Sequence, residues 1–187
     1  MPSKAPPLPG RNRRLSAVAA LALALLLLVL GLPRLAGNLL ALPASAVLWS
    51  LHEGGTEPPA AIRAAAGHLA MAALIDGDGF TDLESGYALL KLEDWEGAEA
   101  ATLRGLARSP GNPSAWARLS YLRLRRGDRA GAGAALRLSL LSGAVAPGLM
   151  QDRLQLAYRL LPDLSSDTVA LVQRQSRLVE QIFPPKP

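Results

Sequence analysis

The chain contains no cysteine. That excludes disulfides, thiolate metal sites, a catalytic thiol and lipidation through a cysteine sulfur. Histidine is nearly as scarce. His52 and His68 are the only two, and both are expected to be surface or packed residues. Aromatic residues make up 4% of the chain, so its large apolar fraction is Ala and Leu. Those side chains lose little freedom in a helix, and the composition points to an all-α fold. No nucleophile elbow, phosphate loop or paired-carboxylate motif occurs, so the chain reads as non-enzymatic, with no catalytic residue, cofactor or metal. The stretch IDGDGF at 75–80 hints at a calcium loop. Counted from Asp76, however, the fifth, sixth and twelfth ligand positions fall on Phe80, Thr81 and Tyr87, so a helix–helix turn is expected instead.

Acidic residues are missing from the first 34 positions, where Lys4, Arg11, Arg13, Arg14 and Arg34 lie. Basic and acidic side chains balance over the rest, so the net charge of +5 is wholly N-terminal. A nucleic-acid-binding domain would carry its excess on the domain itself, and no nucleic-acid partner is expected. Leu15 to Leu32, LSAVAALALALLLLVLGL, holds no charge. Eighteen residues at about 1.5 Å each give roughly 27 Å, close to a hydrocarbon core of about 30 Å. The basic residues before it predict a cytoplasmic tail over 1–14 and an exported remainder, as in a single-pass bacterial inner-membrane protein. ALPASA, ending at Ala46, has the grammar of a signal-peptide cleavage site. The apolar run is too long for a signal peptide and too far from Ala46, which favours a retained anchor. Pro33 and Arg34 are expected to close the transmembrane helix, with 33–57 a spacer that has room for one short helix.

The remainder repeats itself. EDWEGAEAA at 93–101 returns as GDRAGAGAA at 127–135. Asp94 maps to Asp128, Ala98 to Ala132, Ala101 to Ala135 and Gly105 to Ser139, with Pro113 and Pro147 at the same 34-residue interval. Small residues recur where two helices would cross closely, and Asp recurs where it could cap a helix. Helices are expected over 59–75, 80–92, 94–108, 113–126, 128–142, 148–161 and 167–182.

This grammar resembles the tetratricopeptide repeat family. Residues 113–146 carry Trp116, Leu119, Ser120, Gly127-Asp128, Ala132, Leu136 and Ser139 in the family's signature slots. Residues 79–112 match at Gly86, Asp94-Trp95, Ala98, Gly105 and Pro110, but Asp82 and Ser85 stand where Trp and Leu are usual. Arg123 departs from the usual aromatic. Units at 58–78 (Ala64 in the small slot) and 147–182 are degenerate, and 183–187 is a tail. The resemblance implies a short α-solenoid of antiparallel helix pairs over 58–182, stacked into one core. Its packing positions would be Trp95, Ala98, Trp116, Leu119, Ala132 and Leu136, with Trp116 against Ala132 and Leu136. Trp49 reads as packed or at a membrane interface.

In that family the first helix of each unit lines a concave, partner-binding side. The implied groove is Leu83, Tyr87, Leu90, Lys91, Ala117, Tyr121, Leu124 and Arg125, while Glu96 and Glu99 would lie on a solvated face. Residues 76–99 hold eight acids against Lys91, and 118–137 six arginines against Asp128. These blocks could attract each other or offer a partner a polarised surface. The expectation is a membrane-anchored scaffold that binds another envelope protein. Its plan, and the AWARLSYLRL helix, resemble small repeat proteins associated with exopolysaccharide assembly. The alternatives are a periplasmic chaperone-like module of the cytochrome c maturation type, or an accessory subunit of a membrane enzyme.

Overall fold

The computed structural model describes residues 10–77 and 79–183; the side chains of residues 10–14 and Asp76 fall outside that description. Of the basic tail, Lys4 lies outside the described residues, as do Asp78 of the IDGDGF stretch and residues 184–187 of the C-terminal tail. The described residues form eight α-helices and one short 3-10 helix, with no strand among them. The longest is α1, Gly10–His52. Pro33 and Pro43 lie inside it, so the stretch expected as a spacer is helical as far as His52. An internal proline costs about 3 kcal/mol in lost hydrogen bonding and steric clash. Packing carries the helix past Pro43; around Pro33 every residue from Leu15 to Leu35 is exposed, and no such contact is present there among the described residues. Ala44, Leu48 and Leu51 of α1 join one buried cluster with Ile62, Ala65, Ala66 and Leu69. Those partners belong to α2, Pro59–Asp76. Ala64, which the repeat register put in the small slot, is exposed, and the neighbouring Ala65 and Ala66 face α1 instead.

The two ends of α1 have different surroundings. Every residue from Leu15 to Leu35 is exposed. The helix is long and apolar enough to cross a membrane, with a mean hydropathy of 2.8 in its most apolar window.

The remaining helices are α3 (Phe80–Lys91), α4 (Trp95–Arg108), α5 (Pro113–Arg126), α6 (Arg129–Ser142), α7 (Pro147–Leu160) and α8 (Ser166–Ile182). Leu161–Asp163 form the 3-10 turn in the longer connection before α8. Helices α1 and α2, α3 and α4, α5 and α6, and α7 and α8 pack as adjacent pairs. The repeat interval is visible in the capping geometry. Asp94 accepts from the Gly97 amide at 3.0 Å and Asp128 from the Gly131 amide at 2.9 Å. Their backbones nearly coincide, at φ −80°, ψ 81° and φ −77°, ψ 76°. Each cap satisfies an otherwise orphaned helix N-terminal donor. Asn112 caps α5 through the Ala115 amide at 2.9 Å, with Pro113 in the first turn.

Small residues set the crossings. A Cβ on Gly105 would stand 2.4 Å from Leu83 Cδ2, so α3 and α4 approach only because none is there. Ala98, Leu119, Ala132 and Leu136 are each completely buried. Trp116 is half-buried, beside the cluster of Leu83, Leu106, Ala115, Leu119 and Ala135. Ala132 and Leu136, its expected neighbours, belong to a different cluster, with Leu140, Leu156 and Leu160. The indole leans to the edge because its Nε1 donates to the Pro110 carbonyl at 2.7 Å. Trp95 is also only half-buried, with the Arg125 guanidinium 4.0 Å above its ring.

Charged groups take several interior positions. Asp82, in a slot where the resemblance expects Trp, is buried between Arg104 at 3.0 Å and Arg108 at 2.8 Å. Glu99 is buried as well, held by Arg126 at 2.8 Å and Arg123 at 3.7 Å. It is therefore not part of a solvated face; only Glu96 of that pair is exposed. The acidic and basic blocks thus attract each other across α4 and α5. Arg153 is buried in α7 and donates to the Ser139 and Gly143 carbonyls at 2.8 and 2.7 Å. Burial lowers its pKa from the ordinary arginine value. The carbonyls at the negative end of α6 supply acceptors for it.

The turns before the capping aspartates differ in one residue. Gly127 has φ 87°, the left-handed region that glycine adopts freely; Glu93, its counterpart in the preceding repeat, has φ 59°. A side chain in that conformation costs about 1–2 kcal/mol. Glu93→Gly is therefore expected to raise stability by about 0.5–1 kcal/mol, and Gly127→Ala to lower it by about 1 kcal/mol. Thermal unfolding in detergent, followed by circular dichroism, reads both shifts. Equal and opposite signs are not required, but a destabilised Glu93→Gly would contradict the left-handed turn.

Candidate protein-binding cleft

An open cleft of about 630 Å³ runs along one side of the helical domain. Its lining comes from the C-terminus of α1 (His52), from α3 (Tyr87, Leu90), from α5 (Ser114, Ala117, Arg118, Tyr121) and from α7 (Gly148, Leu149, Asp152, Gln155, Leu156, Arg159). Helices α2, α4, α6 and α8 contribute none of these residues. One helix of each pair therefore faces the cleft and the other backs it.

At one end, three helices meet on Tyr87. Its hydroxyl donates to the Leu51 carbonyl at 2.9 Å. The ring stacks on His52 with centroids 4.5 Å apart and planes 2° from parallel. His52 Nε2 lies 2.9 Å from Glu84 Oε2, and donates to it, since a carboxylate only accepts. Arg118 closes the group. Its guanidinium donates to the Leu83 carbonyl and lies 5.3 Å from the Tyr87 centroid. Burial lowers the Arg118 pKa, and the nearby Glu84 and Tyr87 oppose that shift. A partly desolvated guanidinium over an aromatic face is a stronger electrostatic feature than the same group in water.

The eight residues expected to line a groove divide. Tyr87, Leu90, Ala117 and Tyr121 line the cleft. Leu83 is buried in the α3–α5 core. Lys91 is exposed with its Nζ 5.2 Å from the Tyr87 centroid, outside the lining. Leu124 and Arg125 border a neighbouring hollow with Tyr121, Arg129 and Arg159. Arg125 leans on Trp95, whose ring meets Tyr121 edge-on at 6.4 Å.

His52, Arg118 and the α7 residues do not figure in the groove inferred from the sequence. One further step of the repeat would have found part of the set. Tyr87 and Tyr121 lead to Gln155, and Glu84 and Arg118 lead to Asp152. The degenerate third unit hid those positions. His52 gave no such signal, because its place depends on α1 continuing past Pro43.

No protein-family model matches the chain, and no curated protein matches it. Chemically, the cleft offers two tyrosine rings, aliphatic floor positions at Leu90, Leu149 and Leu156, and charges of both signs. That set suits an extended polypeptide segment with mixed side chains.

Tyr87 carries structure as well as cleft surface. Tyr87→Phe should keep the His52 stack but lose the bond to Leu51, costing about 1 kcal/mol. Tyr87→Ala should cost more, because the stack and the ring's packing disappear with it. Denaturation of the detergent-solubilised chain tests the order; equal melting of all three forms would contradict the tie between α1 and α3.

Proposed function

We propose that the chain is a non-enzymatic, membrane-anchored scaffold whose cleft binds a segment of another envelope protein. The observation that carries this reading is the cleft itself, lined from α1, α3, α5 and α7. That arrangement suits a tetratricopeptide-like solenoid, in which stacked pairs present one helix each to a shared concave side. The periodic recurrence of the Asp94 and Asp128 caps supports the same reading. No cluster of His, Asp or Glu among the described residues could hold a metal ion. In this proposal the partner belongs to exopolysaccharide assembly or export, an assignment resting on the sequence resemblance alone.

The anchor in this proposal is α1, crossing the inner membrane with its basic N-terminus in the cytoplasm and residues from about 35 onward exported. Alkaline phosphatase fused after Pro187 should be active in whole cells. An inactive fusion, with an active cytoplasmic reporter at the same site, would refute the orientation.

The cleft is tested at residues whose side chains are exposed in α7. Asp152→Ala/Gln155→Ala/Arg159→Ala should reduce crosslinked partner recovery from native membranes several-fold, with helicity unchanged. Arg137→Ala/Glu180→Ala, at exposed positions outside the cleft, should leave recovery as it was. Equal recovery from both sets would reject the cleft as the binding site.

A further inference from the structure

Beyond the end of its most apolar stretch, α1 carries a second apolar surface. Leu35, Leu39, Leu42, Ala46 and Trp49 follow one another at alternating steps of four and three residues. All five are exposed, with Trp49 at 71%. At about 100° per residue they form one stripe along the helix. The residues that pack on the helical domain, Ala44, Leu48 and Leu51, lie on the opposite side. The fully exposed positions off the stripe in the same stretch are Arg34, Asn38, Pro43, Ser45 and His52, none of them a large aliphatic residue; half-buried Leu40, Ala41 and Val47 lie toward the domain side, and Ala41 and Val47 pack against its cluster. An outer face that only met water would not place its large apolar residues in one line and its polar ones beside it.

We propose that this stripe is the seam of a parallel homodimer, with α1 of a second copy as its occupant. The inference rests on the membrane reading given above. Insertion in a single orientation makes the α1 helices of two copies parallel and sets them at one depth. Each seam residue then meets its own counterpart, the self-complementary geometry of a two-fold interface. A three–four alternation is the spacing at which two helices supercoil with their apolar residues interlocked. The positions flanking the seam, Ala36, Asn38, Pro43, Ser45 and Ser50, are uncharged, so two identical copies meet without like-charge repulsion. Ala46, one turn before Trp49, leaves room beside the large indole. The helical domain packs on the far side of α1, so two domains project away from the seam. The same intervals run back through Leu32, Leu28, Leu25, Leu21 and Val18; nearly every position there is apolar, so the discriminating stretch is 34–52.

The absence of cysteine makes the test direct. Single variants Leu35→Cys, Leu39→Cys, Leu42→Cys, Arg34→Cys and Ser45→Cys are oxidised in native membranes of the full-length chain. Disulfide-linked dimer is expected several-fold more at the three leucine positions than at Arg34 and Ser45. Equal yields at all five, or none at the leucines, would overturn the seam and leave the stripe to lipid or to another protein. In the Leu35→Cys background, Leu39→Ser/Leu42→Ser should lower dimer yield several-fold; both leucines are exposed in the single chain, so its fold is not at stake. An unchanged yield would also overturn the proposal. Alkaline washing of the membranes separates the two readings. Retention of the chain without the periodic pattern rejects the seam and keeps the anchor. Release of the chain with the pattern intact rejects the anchor and keeps the seam.

Discussion

Ala44, Leu48 and Leu51 join the long N-terminal helix to the rest of the molecule by packing on Ile62, Ala65, Ala66 and Leu69 of α2. Most of what surrounds them depends on that contact. It carries α1 past Pro43, so the helix that is long and apolar enough to cross a membrane continues into the helical domain. It supplies α2 with an antiparallel partner. It also delivers the end of α1, with the Leu51 carbonyl and His52, to Tyr87. In the proposed membrane setting, orientation of the anchor would therefore set orientation of the cleft.

The interior is built from residues too small to fill space alone. Ala and Gly let backbones approach, as at Gly105 against Leu83, and the gain is close packing with little side-chain entropy to lose. Polar groups then take over roles that bulky residues fill elsewhere. Ser120 and Ser139 donate to the Ala132 and Pro113 carbonyls at 2.8 and 2.7 Å. Asp82 gathers Arg104 and Arg108, and Glu99 gathers Arg123 and Arg126. Burying a carboxylate is costly unless it is paired, and each of these is paired from the adjacent helix. Much of the chain's segregated charge is thereby used inside the molecule. Glu84, Arg118 and Asp152, equivalent positions of successive repeats, alternate in sign along α3, α5 and α7.

The seven helices after α1 were legible from periodicity, prolines and capping residues, each within one or two residues of its observed ends. Those signals are local. A capping Asp, a proline in a first turn and a small residue recurring once per repeat act through neighbours in sequence. The end of α1 is not legible locally for the same reason, since Pro43 looks like a stop until α2 is there to pack against. Trp95 and Trp116 stand at the packing positions that the repeat resemblance implies, yet both are half-buried: the Trp116 N–H finds a carbonyl acceptor at the rim, and a guanidinium lies over the Trp95 ring.

The cleft divides along the same line. Tyr87, Leu90, Ala117 and Tyr121 could be found from the family resemblance, which says which helix of each pair lines a groove, together with the repeat period. Leu83 repeats with them yet is buried, and His52 lines the cleft without repeating at all. By itself the sequence determined the helices, their caps, their period and the apolar length of α1, all properties of neighbouring residues. Only the tertiary structure decided which positions the helix pairs cover, which charges are consumed internally and where α1 ends, because each depends on a helix distant in the chain.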